Sequence, residues 1–129
     1  MLVHRSVICI AAVALMLLTP GPLIEWLKTL LSLPVMPPSE TEFPTDKLVH
    51  CLLFAGCTFF CLQDWREKFG LFMVLLMMLA FAALTELLQI VIPGRSGDWS
   101  DFAADALGIA GGFWWYVRIK KARFAKTGL

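Results

Sequence analysis

Three ionisable residues sit inside apolar runs, where charge is costly: His50 in DKLVHCLLFAG, Glu86 in FAALTELLQIVI and Asp105 in DWSDFAADALGIAGG. A histidine near carboxylates suits proton transfer or nucleophilic attack, because imidazole changes charge near neutral pH and a carboxylate can orient it. Asp101 joins these three as the candidate catalytic set. Around them lies a polar set suited to holding a substrate: Asp46, Lys47, Gln89, Arg95, Ser96 and Asp98. Arg95 is the natural anion contact, since the guanidinium fork matches phosphate or carboxylate. Gly94 and Gly97 allow a tight turn around such an anion, and the helix that follows adds backbone N–H groups at its start. No cofactor is expected. The alternative is a divalent cation held by oxygens of Glu86, Asp98, Asp101 and Asp105, carboxylates that Arg95 could neutralise instead.

The elements that must position these residues are membrane helices. Hydrophobic residues make up 59% of the 129-residue chain and charged ones 16%, well beyond the apolar share of about 45–50% usual in soluble domains. The net charge of +1 and the lack of a basic stripe exclude nucleic acid as a partner. The first apolar run, SVICIAAVALMLL, has a basic start but is followed by LLTPGPLIEW, with no small-x-small cleavage site, so it reads as a retained helix. Cys9, Cys51, Cys57 and Cys61 lie in apolar runs without zinc-ligand spacing and read as small buried hydrophobes.

The fold class expected is an all-α integral membrane protein of one domain with four transmembrane helices. They fall near 6–24, 46–62, 69–92 and 101–119, and the first, second and fourth are short for a bilayer. Between the first two, Leu23, Leu27, Leu30 and Leu31 share a face opposite Glu25, Lys28 and Ser32, so part of 22–45 reads as an interfacial helix. The alternative is a first helix that continues past Pro20 and Pro22. PVMPPSETEFP is an extended linker. LGIAGG in the fourth helix offers a small-residue face for close packing.

Lysine and arginine set the orientation. With both termini cytoplasmic, eight basic residues face inward and three (Lys28, Lys47, Arg95) face outward, which accounts for all eleven. The start of the second helix, the end of the third and the start of the fourth then meet at the outer face. His50 lies four residues inward from Asp46 and Asp105 four from Asp101, about 6 Å each; Glu86 lies seven from Pro93, about 10 Å. Caps and salt bridges alone would account for Asp46, Ser100 or Asp101. They do not account for three ionisable groups a turn or more inside, which must pair or line a wet cavity.

Three functions compete. The first is an enzyme acting on a phosphate- or glycan-bearing lipid, with His50 as base or nucleophile, Glu86 and Asp105 orienting it or serving as acid, and Arg95 with Lys47 holding the headgroup. The second is a non-catalytic binder of lipids or lipid-linked envelope precursors. The third, a small transporter, is disfavoured because Leu71 to Leu84 is apolar and the polar residues gather on one side.

DKLVHCLLFAG, TELLQ and PGRSGDWSDFAADALGIAGG, in this order, resemble the VanZ-like family, named for a membrane protein linked to teicoplanin resistance. The resemblance covers helices two to four. It implies a small polytopic protein of the bacterial inner membrane, with polar positions matching Asp46, Lys47, His50, Glu86, Gln89, Arg95, Asp98, Asp101 and Asp105. It also implies action on lipid headgroups as a phosphoesterase or headgroup transferase. An influence on glycopeptide susceptibility would accompany the binding alternative.

Overall fold

A computed structural model describes residues 5–31, 45–95 and 97–127, so the expected linker and Ser96 lie outside the described residues. Five helices follow in order: α1 (Arg5–Leu18), α2 (Gly21–Leu30), α3 (Thr45–Phe69), α4 (Leu71–Gln89) and α5 (Trp99–Thr127). The described residues contain no strand. Two helical stretches are long and apolar enough to cross a membrane, Asp46–Phe69 and Leu71–Gln89; α1 with the start of α2 would add a third if the bent pair were one span. In α5 the uncharged stretch from Ala106 to Val117 covers only 12 residues, about 18 Å of helix.

α2 does not continue α1: their axes differ by 94°. Pro20 and Pro22 explain the break, because a proline nitrogen cannot donate to the preceding turn but fits a helix start. Gly70, at φ 82°, separates α3 from α4, a conformation that costs glycine little. α3 and α5 run past the expected spans because QDWREK and RIKKARFAK are rich in helix formers. These polar turns prolong each helix beyond its apolar part.

Burial is distributed as a membrane protein requires. Phe72, Leu84, Leu87, Leu107 and Trp114 are exposed, while His50, Thr58, Thr85, Gln89, Asp101 and Asp105 are buried. In an apolar solvent the polar groups gain by facing one another. Phe54, Leu62, Val74 and Met78 fill the centre. Cys57 and Cys61 join that core, and all four cysteines are free thiols.

α3 and α5 lie parallel and form the closest seam. A Cβ added at Gly108 would come within 2.3 Å of the Cys51 carbonyl oxygen, and one at Gly112 within 2.3 Å of the Ala55 oxygen. The small-residue face expected from LGIAGG is this seam, where missing side chains let two backbones meet. α1 runs antiparallel to α3: the Ser6 amide bonds Asp64 near the end of α3, while Leu17 meets Gln89 at the end of α4. One end of the bundle thus gathers the ends of α1 and α4 with the starts of α3 and α5.

The α4–α5 turn locks onto the α1–α2 break. The Gly21 amide donates to the Pro93 oxygen at 3.1 Å, and Gly94, at φ 73°, packs its backbone against Gly21. Arg95 donates from Nε to the Thr19 oxygen at 3.1 Å and from Nη2 to the Met16 oxygen at 3.2 Å. Gln89 Nε2 donates to the Leu17 oxygen at 3.0 Å. The last carbonyls of a helix need such donors when the chain turns away. Arg95→Gln is therefore expected to destabilise the fold by about 1–3 kcal/mol, measured as unfolding in detergent micelles; unchanged stability would show that this tie contributes nothing.

Candidate functional site

The buried centre of this end is an imidazole between carboxylates. His50 Nδ1 lies 2.9 Å from Asp105 Oδ1 and 3.8 Å from Glu86 Oε1. His50 and Asp105 are 1% and 0% exposed, and Glu86 9%. Glu86 Oε1 and Asp105 Oδ2 are buried without a hydrogen-bond partner among the described residues. Buried carboxyl groups in this state are compensated by a proton on the carboxyl or on the imidazole, or by a ligand.

Helical spacing builds the cluster. Asp46 and His50 lie four apart on α3, as do Asp101 and Asp105 on α5, so each pair shares a face. The parallel seam sets the two pairs side by side: Asp46, His50 and Asp101 bring donor atoms within 4.8 Å of one another, as do His50, Glu86 and Asp105. His50 belongs to both groups. These nitrogen-and-oxygen sets could hold a cation, whereas in the alternative all-oxygen set Asp98 turns to Lys47 and Ser100. Mixed imidazole and carboxylate donors suit zinc or manganese better than magnesium or calcium.

A second polar layer closes the rim. Lys47 Nζ donates to Asp101 Oδ1 at 2.8 Å and to the Ser100 hydroxyl, and lies 3.8 Å from Asp98 Oδ2. Asp98 Oδ1 accepts the Ser100 amide at 3.1 Å, capping α5. The Ser100 hydroxyl and amide hold the Asp98 carboxyl below its ordinary value. The cap is therefore expected to contribute above the usual carboxylate range and to be lost as pH falls through the lowered value. An unfolding series against pH, with Asp98→Asn as the flat reference, checks this.

The Asp98 amide donates to Glu86 Oε2 at 3.1 Å, which ties the loop to the buried cluster. Gly97 permits that approach, since a Cβ there would come within 2.6 Å of the Glu86 backbone oxygen. Gly97→Ala should shift the loop, break this bond and lower site function by about 10- to 100-fold with the helices intact. The check is complementation of a gene deletion by the variant, with circular dichroism as the control.

Two clefts reach this end. One, of about 200 Å³, is lined by Glu86, Gly97, Asp98, Trp99 and Phe102 between α4 and α5. The other, of about 530 Å³, opens between α1, α2 and α3 beside Asp46, Val49, Leu53 and Arg95. His50, Glu86, Asp101 and Asp105 thus come together, with Asp46, Lys47 and Asp98 around them. Arg95 and Gln89 turn to α1 instead. Ser96 lies outside the described residues. Sequence reasoning treated Ser100 only as a cap; its contact with Lys47 carries no signal in the sequence.

An all-helical bundle with apolar side chains outward and a buried polar cluster at one end defines a membrane protein. It belongs to the VanZ/LLP1 family, whose model matches residues 7–120. Neither the curated proteins nor the solved structures give a match.

Proposed function

We propose that this chain is a four-span protein of the bacterial inner membrane, both termini cytoplasmic, that acts on lipid headgroups at the extracytoplasmic face. The spans are the α1 region, α3, α4 and α5, with α2 on the outer interface. The observation that carries this reading is the buried His50–Asp105–Glu86 cluster at the end of an apolar bundle, beside clefts open to the flank. A lipid can enter sideways there with its chains still in the bilayer.

The chemistry is phosphoester hydrolysis or headgroup transfer on a phosphate- or glycan-bearing lipid. Asp105 holds the Nδ1 side of His50, which leaves Nε2 to take the proton of an attacking water or hydroxyl. Glu86, tied by Oε2 to the Asp98 amide, serves as acid or fixes the ring. Lys47 at the rim and Arg95 in the larger cleft are the cations that meet the headgroup; neither Arg95 bond to α1 uses Nη1. Fixed charges in a site shielded from water stabilise a charged transition state strongly.

The test is headgroup lipidomics of cells with the wild-type gene, a deletion, His50→Ala or Glu86→Gln. Both variants should reproduce the deletion profile. Wild-type profiles from both variants, where the deletion differs, would refute catalysis by these residues. The second reading, a non-catalytic binder of lipids or envelope precursors, is favoured by the engagement of Arg95 and Lys47 in fixed contacts. Rescue of a deletion phenotype by His50→Gln would select it.

A further inference from the structure

The opposite end of the bundle holds a groove of about 570 Å³, in no contact with the cluster around His50. Its charged lining is Arg66 from α3 with Lys120 and Lys121 from α5, and no carboxylate lines it among the described residues. Asp105 and Lys120 are fifteen residues apart on α5, about 22 Å of helix. The groove and the candidate site therefore lie at opposite ends of the apolar part of α5.

Two of the cations are fixed on one buried ring. Arg66 Nη1 donates to the Tyr116 hydroxyl at 3.2 Å. Its guanidinium lies 5.8 Å from the ring centroid, and Lys120 Nζ lies 5.8 Å from the same ring. Tyr116 is 5% exposed, so one buried ring anchors both cations at the groove. With no carboxylate in the lining among the described residues, the two charges suit a shared anion. The other wall is apolar, from Leu71, Phe113 and Phe124. Leu71 is the first residue of a helix long and apolar enough to cross a membrane, so that wall runs on into an apolar stretch.

We infer that this groove binds an anionic phospholipid, its phosphate between Arg66 and Lys120 and one acyl chain along Leu71 and Phe113. Charge complementarity selects the anion. The apolar wall selects a lipid over a free phosphate or an acidic segment of protein, since only a lipid offers both parts across this boundary. Basic pockets between membrane helices bind anionic headgroups in this way.

The experiment places the full-length protein in nanodiscs of phosphatidylcholine with rising phosphatidylglycerol and counts retained lipid by native mass spectrometry. Wild type should retain phosphatidylglycerol over phosphatidylcholine, and soluble glycerol 3-phosphate should not displace it. Lys120→Gln, which keeps the Arg66–Tyr116 bond, should lose about fivefold of that preference, and Arg66→Gln/Lys120→Gln about 25-fold. Lys68→Gln/Lys126→Gln removes equal charge outside the groove and should leave the preference unchanged. No preference in wild type, equal loss in the Lys68/Lys126 pair, or no loss in Lys120→Gln would overturn the proposal. Displacement by glycerol 3-phosphate would show a phosphate site instead, and displacement by an acidic peptide a protein site; either overturns it too.

Discussion

Asp105→Asn is expected to lower headgroup turnover by about 10²- to 10⁴-fold while the chain stays folded. Asp105 is fully buried, and its Oδ1 lies 2.9 Å from His50 Nδ1. Asparagine keeps the shape and removes the charge that would fix the ring's proton on Nδ1; in Ser-His-Asp triads an uncharged partner at this place favours the wrong tautomer. The fold should survive because the substitution is nearly isosteric and removes a buried carboxylate whose Oδ2 has no partner among the described residues. In the proposed mechanism Asp105 acts through His50, so the pH profile of the residual activity should change shape. Damage to packing alone would scale the whole profile down. Turnover of reconstituted protein against pH, with a melting curve for each variant, measures both. Full activity in Asp105→Asn would remove the His50–Asp105 pair from the mechanism.

The largest effect on stability is expected at the α3–α5 seam. Gly108→Ala with Gly112→Ala should cost about 2–6 kcal/mol, from about 1–3 for each overpacked position. Both added methyl groups would meet backbone oxygens at 2.3 Å, and backbone cannot swing aside as a side chain can. Either the helices separate or the seam shifts. The Lys47–Asp101 and His50–Asp105 contacts both cross this seam, so site function should fall with stability. Gly111, with nothing within 4 Å of an added Cβ, is the control: Gly111→Ala should not destabilise. Propensity alone favours alanine at all three positions, so equal changes at Gly111 and the seam positions in micelle unfolding would show that close approach does not govern this helix.

The cluster was legible in the sequence for a thermodynamic reason. Ionisable residues inside apolar helices are expensive, so His50, Glu86 and Asp105 announce a shared enclosure even in one sequence. Counting basic residues put the starts of two helices and the end of a third together, and the parallel seam of α3 and α5 with the end of α4 beside it has that arrangement. LGIAGG announced the seam because absent side chains are visible in sequence. The partners of Arg95 and Gln89 were not legible, since they are the carbonyls of Met16, Thr19 and Leu17. Backbone oxygens carry no residue identity, so an arginine in a polar turn reads as an anion contact when it also ties two helix ends together. The 94° angle at Pro20 was open for a related reason: prolines interrupt a helix without fixing where the chain goes next. The extra turns of α3 and α5 were hidden because hydropathy marks where the apolar stretch ends, not where the helix does.

A structure of the protein extracted with its native membrane lipid, at a resolution that shows headgroups, decides whether the buried His50 cluster meets a lipid. A lipid headgroup is expected at the His50 end, with a polar atom in hydrogen-bond reach of His50 and its chains leaving through one of the two flanking clefts. A cluster sealed by protein, with the clefts filled only by acyl chains and no headgroup near His50, Lys47 or Arg95, would contradict it.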